Sequence, residues 1–288
     1  MPFQALRRSA NRIKRQLVWE YRQATNRFRS LPHFVVIGAQ KAGTTSLYYY
    51  LSQHPQIAPS FAKEVHYFDG GQKANSNNYE NGVHWYRAHF PLTSRLGNRR
   101  MTGEASPIYI FHPQVAERIH QLMPNVKLIA LLRNPTERAI SHYFHQKRTG
   151  RETLPLDQAL QEEDKRINPA IKRCDFGNDA FRRFSYKARG RYKEQLDRYF
   201  RYFSRDQLLI LSSEEFFREP MATLDRVFEF LGIEEGIKSI NLNPKNVAPN
   251  KSDIAPQVRE YLDDYFASDN QALFELIGKE FDWRRGTV

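Results

Sequence analysis

Two kinds of segment alternate along the chain. His33–Gly38 (HFVVIG), Val126–Leu132 (VKLIALL) and Gln207–Leu211 (QLLIL) are short, nearly unbroken apolar runs rich in Val, Ile and Leu. Runs of this length without polar alternation predict strands buried on both faces, as in a parallel sheet. Met101–Gly103 is a shorter candidate of the same kind. Between them apolar residues recur at spacings of three and four, which predicts helices over Thr44–Gln53, Gln114–Met123, Ala188–Phe203, Pro220–Leu231, Pro256–Phe266 and Asn270–Gly278. Another helix starts after Asn134, where Asn at the N-cap, Pro135 in the first turn and Glu137 at the third position form a capping-box pattern. Strands alternating with helices predict an α/β chain with a central parallel sheet flanked by helices. Residues 70–82 and 241–253 read as polar loops.

The first thirty residues stand apart. Phe3, Leu6, Ala10, Ile13 and Leu17 share one helical face, with arginines on the others. This predicts a basic amphipathic helix or arm over residues 1–30, followed by one domain over residues 31–288. Such a helix either docks on the domain or makes peripheral contact with an anionic membrane surface. The segment lacks the uninterrupted apolar stretch of a signal peptide. It carries eight cations against the single acid Glu20, so more than half of the net charge of +12 lies in a tenth of the chain. That local basicity, without interleaved stacking aromatics, argues against a nucleic-acid partner. No run reaches the length of a membrane span, and the single Cys174 cannot close an internal disulfide. The expectation is a soluble, cytoplasmic protein, with a peripheral membrane contact left open.

The chemistry concentrates where the first strand meets the first helix of the domain. Gly38-Ala-Gln-Lys-Ala-Gly-Thr-Thr-Ser46 lies between them, the position of a phosphate-binding loop, where backbone N–H groups and a helix N-terminus hold an anion. The Gly38–Gly43 spacing matches the glycine pair of GxxxxGK[ST]. Thr44, however, stands where that motif has its lysine, and the lysine has moved inside the loop as Lys41. The usual lysine clamp on β- and γ-phosphates is therefore not expected. A second ligand edge is predicted at Arg133, which ends a buried strand and can grip phosphate bidentately. Ser141 lies two helical turns along the same face.

QKAGTTSL, KEVHYFD and LIALLRNPTERAISHY, in this order, resemble the sulfotransferase superfamily, and most of all the branch that includes heparan sulfate sulfotransferases and their bacterial relatives. The resemblance extends from about Phe34 to Trp283. It implies a three-layer, P-loop NTPase-like fold and the donor 3′-phosphoadenosine 5′-phosphosulfate, with 3′,5′-bisphosphoadenosine as product and no metal. Lys41, Ala42, Gly43, Thr44, Thr45 and Ser46 would wrap the 5′-phosphosulfate end, and Arg133 and Ser141 would hold the 3′-phosphate. Glu64 would be the general base and Lys41 the cation at the leaving oxygen. His66, two residues on, is the alternative base. Tyr192 reads as a packed core residue or a contact to nucleotide or acceptor. Lys245 and Lys251 are candidates for a late basic loop closing the site.

Two departures from the branch stand out. Ala105 occupies the place of an expected lysine in Glu104-Ala-Ser-Pro107, which counts against a heavily anionic glycan acceptor. The paired cysteines of secreted relatives are also absent. Glycan, glycolipid and small hydroxylated acceptors stay open, as do O- or N-sulfation and oligomeric state. The competing readings are a P-loop nucleotide kinase and a basic anion- or membrane-binding protein without catalysis.

Overall fold

The computed structural model describes residues 2–72, 77–97, 101–234, 240–245 and 254–283, with side chains from Arg12 onward. Phe3, Leu6 and Ala10 therefore fall outside the described side chains, and Lys251 outside the described residues.

Five parallel strands form one sheet in the order β2-β3-β1-β4-β5: β1 (Phe34–Gly38), β2 (Ile57–Pro59), β3 (Met101–Ala105), β4 (Lys127–Leu132) and β5 (Leu208–Ser212). Two of the three long apolar runs take inner positions as β1 and β4, while the third forms the edge strand β5, where Leu209 and Ile210 are only partly buried. β1 is wholly buried, and so is β4 after Lys127. Val36 aligns with Ala105 on one side and Ile129 on the other. The chain leaves β1 toward β2 and β3 on one side, then crosses to β4 and β5 on the other. This reversal opens a crevice at the carboxyl end of β1, the usual ligand edge of such sheets.

The helices are α1 (Pro2–Ala24), α2 (Thr44–Leu51), α3 (Gly82–Arg87), α4 (Val115–Leu122), α5 (Pro135–Arg148), α6 (Leu156–Gln161), α7 (Glu163–Lys172), α8 (Asp179–Phe184), α9 (Tyr192–Phe200), α10 (Ser213–Arg218), α11 (Pro220–Leu231) and α12 (Pro256–Ile277). α2 packs on β1 and β3, α11 on β5, and α12 on α5 and α9.

Three local expectations change. The Ala188–Phe203 helix is a 3-10 turn at Ala188–Gly190 followed by α9, because Arg191 leaves helical geometry and Gly190 lies tight against Phe266 and Pro135. The two helices expected after Pro256 are one, since Leu262, Phe266 and Leu273 are buried along it and carry it past the polar 267–270 stretch. Asn134 caps α5 by accepting from Glu137 N at 3.2 Å, but its own N–H donates to Glu214 (2.9 Å), so the reciprocal half of the box comes from another element. β2 and α6–α8 were not foreseen. They are too short for periodicity to declare, and α7 contains Pro169.

Candidate active site

A cleft of about 1130 Å³ opens at the crevice beyond β1. Lys41, Gly43, Thr44, Thr45, Arg133 and Ser141 line it, and Glu64 and His66 are in the same cleft. Segments up to about a hundred residues apart thus converge because β1, β3 and β4 are neighbours in the sheet.

The loop after β1 is shaped by close backbone packing. A Cβ on Gly38 would meet Ile110 Cγ2 at 2.3 Å, so the strand end can lie against residues 107–110 only as glycine. Gly43, at φ +96°, precedes the first turn of α2 and lies under the Phe217 ring. Its side offers α2 no capping group, which leaves the first N–H groups of α2 for a ligand. The loop carbonyls are held from behind: Ser213 Oγ donates to Ala42 O at 2.7 Å and Arg133 Nη1 to Lys41 O at 3.2 Å. Gln40 is bound by Arg189.

Not every expected loop residue faces the cleft. Ala42 is fully buried. Ser46 is buried as well, and its hydroxyl accepts from Lys245 N at 2.9 Å. It tethers the late segment rather than opening toward a ligand. That tether brings Lys245 into the cleft wall, with its ammonium 4.2 Å from the Tyr49 ring centre. Tyr192 is a core residue whose hydroxyl donates to Arg133 O at 2.9 Å, fixing the end of β4.

In the same cleft Glu64 belongs to a chain of charges. Its carboxylate pairs with Lys63 and lies 3.4 Å from His66 Nε2. His66 Nδ1 is 3.0 Å from Asp69, and Asp69 is 2.7 Å from Arg182. Burial pushes the Glu64 carboxyl up, but His66 and Lys63 outweigh it and hold it down at about 2. Burial also opposes charge on His66, yet Asp69 and Glu64 raise the imidazole to about 9. Asp69 is likewise held at about 2, against burial, by His66 and Arg182. At neutral pH Glu64 is a carboxylate paired with Lys63, and His66 an imidazolium without a free lone pair. Of the two candidate bases, only Glu64 can accept a proton in that state.

The backbone here is unusual. Lys41, Glu64 and His66 have φ of 73°, 60° and 52°. Such left-handed non-glycine residues persist only where surroundings impose them. Beneath this segment fully buried Glu104 accepts from Tyr86 (2.7 Å) and Ser106 (2.8 Å), while burial raises its carboxyl. Ser106 in turn accepts from His66 N at 3.2 Å, and Glu64 N donates to Ala105 O at 3.1 Å.

Several residues of the site escaped sequence reasoning. Asp69, buried behind His66 rather than lining the cleft, had a signal, its i+3 spacing from His66 in KEVHYFD. Arg151, Arg182, Arg183, Arg189 and Phe217 had none, since their segments carry no motif, and His145 lies just past the motif on α5.

The pattern of the sulfotransferase domain family matches residues 31–261. The chain belongs to the sulfotransferase family. It is a transferase with the family's α/β fold. A sulfotransferase structure from Alicyclobacillus acidocaldarius superposes with a TM-score of 0.73 at 31% identity, covering 89% of this chain and 100% of that one. Among curated relatives, the membrane-associated sulfotransferase kil1 of Dictyostelium discoideum is 29% identical, over 88% of this chain and 67% of its own length. Heparan sulfate glucosamine 3-O-sulfotransferase 5 of Mus musculus is 28% identical, over 98% and 84%. Among the described residues no group of side chains could hold a metal ion.

Proposed function

We propose that this sulfotransferase moves a sulfuryl group from 3′-phosphoadenosine 5′-phosphosulfate to a hydroxyl or amine of its acceptor, with Glu64 as general base and Lys41 stabilising the leaving group. The observation that carries this reading is the convergence in one cleft of an anion-holding loop and helix start, a second cationic edge at Arg133 and Ser141, and an ionised carboxylate. The residues fit the donor: Thr44, Thr45 and the first N–H groups of α2 suit its phosphosulfate end, and Arg133 with Ser141 suits its 3′-phosphate. Bound there, the donor supplies the sulfuryl group and a phosphate as leaving group.

Glu64 takes the acceptor proton as the acceptor oxygen or nitrogen bonds to sulfur and the bond from sulfur to the bridging oxygen breaks. Lys41 offers a compact positive charge to the phosphate oxygen that keeps the electron pair. A carboxylate at about 2 is a weak base. Exchange of its Lys63 contact for the acceptor's O–H or N–H removes a stabilising cation and raises its basicity. His66, charged and anchored to Asp69, keeps the carboxylate oriented.

The acceptor is the less determined partner. Ala105 is buried in β3, so the cation expected at that place is absent. Arg151, Arg182 and Arg183 border the cleft instead, from α8 and the segment after α5, and Arg151 pairs with no carboxylate among the described residues. Arg182 is paired with Asp69 and Arg183 with Asp179, so Arg151 is the cation that supports negative charge on the acceptor. A carbohydrate or glycolipid is favoured by the likeness to the heparan sulfate sulfotransferases. Calorimetry with 3′,5′-bisphosphoadenosine, set against ATP with magnesium, tests the donor assignment. Preference for ATP would replace it with a kinase.

A further inference from the structure

Helix α1 is docked at one end and bare along the rest of its described side chains. Trp19 stacks on Phe61 with ring centres 6.2 Å apart and meets His89 at 4.7 Å. Arg22 donates to the carbonyls of Ala88 and Phe90 at 2.7 and 2.8 Å, with its guanidinium 4.6 Å from the Phe61 ring centre. Upstream of this dock every residue from Arg12 to Val18 is exposed. Ile13 is 59% exposed, Leu17 60% and Tyr21 52%. At 3.6 residues per turn these three form one stripe, centred roughly 170° around the helix from the Trp19–Arg22 face. The stripe therefore points away from the domain, with Ile13 and Leu17 bare and the Arg29 guanidinium 5.6 Å from the Tyr21 ring centre at its inner end.

The charge on the arm says what the stripe faces. Arg12, Lys14 and Arg15 are exposed on the same arm, while the nearest acid, Glu20, sits beside the dock and bonds Gln16. At 3.6 residues per turn Lys14 lies beside the stripe, while Arg12 and Arg15 lie roughly 140° and 160° from its centre, and no acid stands between Arg12 and Trp19. A net-positive arm with an outward apolar stripe complements a layer whose surface is anionic and whose interior is hydrocarbon. No described helix is long and apolar enough to cross a membrane, so the contact is with the surface. We propose that α1 lies in the headgroup region of an anionic bilayer, burying Ile13, Leu17 and Tyr21 and holding the enzyme there. This goes beyond the proposed chemistry and does not depend on it. Phe61, on which α1 docks, precedes Glu64 by three residues, about 10 Å of chain at most. The Glu64 part of the cleft is thereby kept close to the lipid-bound helix.

The test is sedimentation of the full chain with phosphatidylcholine vesicles, with and without phosphatidylserine. The expected result is binding to the anionic vesicles that weakens with salt. It should fall by about tenfold or more in Ile13→Glu/Leu17→Glu, and comparably in Arg12→Glu/Lys14→Glu/Arg15→Glu. These side chains touch nothing in the domain, so both variants should bind 3′,5′-bisphosphoadenosine as the parent does. Three results overturn the proposal: no binding by the parent chain, equal binding by the Ile13→Glu/Leu17→Glu variant, or a dimer in light scattering that this variant abolishes, which would give the stripe to a second copy. A wrong donor assignment would show differently, as loss of nucleotide binding in the parent with vesicle binding intact.

Discussion

Two parts of the cleft are built on different principles. The part proposed to hold the donor uses main chain at the carboxyl ends of β1 and β4, where glycines, a helix start and one arginine occupy positions that the sheet fixes. The part proposed to face the acceptor uses side-chain charge, in a chain from Lys63 and Glu64 through His66 and Asp69 to Arg182 on α8. Backbone geometry binds a constant group by its shape and charge. A network of side chains can be retuned by single replacements, and in the proposed arrangement it stands next to the partner that varies.

Substitutions can break this division. Glu64→Gln should cut turnover about a hundredfold or more, the scale of a lost general base, while 3′,5′-bisphosphoadenosine binds nearly as before. Near-parental turnover would remove Glu64 from the mechanism. Arg133→Ala should do the reverse, weakening nucleotide binding in calorimetry by about 1.5–3 kcal/mol, the scale of a charge-assisted hydrogen bond. Unchanged affinity would overturn its role.

Gly43→Ala places a side chain at φ +96° and against Phe217, so donor affinity should drop by about tenfold, the 1–2 kcal/mol cost of left-handed backbone. Ser141→Ala should cost the least, about 0.5–1.5 kcal/mol of nucleotide binding.

Asp69→Asn sharpens the comparison through pH. In the parent, His66 is raised from 6.5 to about 9, so its charge is complete at neutral pH and is lost as pH rises through 9. Its contribution to stability is likewise whole below 6.5 and disappears above 9. Glu64 and Asp69, lowered to about 2, contribute stability that is whole above about 4.5 and is lost as pH falls toward 2. The kcat/KM profile of the parent should therefore be flat through neutrality and fall near pH 9. Without the Asp69 carboxylate, burial should draw the alkaline limb downward while nucleotide affinity stays constant. An unmoved limb would detach His66 from the reaction.

The same division governed what could be read in advance. β1, β4, β5, the phosphate-holding loop, Arg133 and the cap of α5 are local patterns: apolar runs, glycines at a strand end, and Asn-Pro at a helix start. The base candidate was visible too, because Glu64 and His66 lie close together in KEVHYFD. The burial of Ser46 against Lys245 and the split of the 188–203 helix were not visible, since both depend on contacts with residues far along the chain.

By itself the sequence determined the strand order of chemistry: a loop that accepts an anion, a carboxylate, then an arginine, each written within a few neighbouring residues. Only the tertiary structure decided that His66 is charged and Glu64 ionised, that arginines from α8 and residue 151 border the cleft, and that the stripe of α1 faces outward. Those properties come from burial and from pairing across distances that no local pattern records.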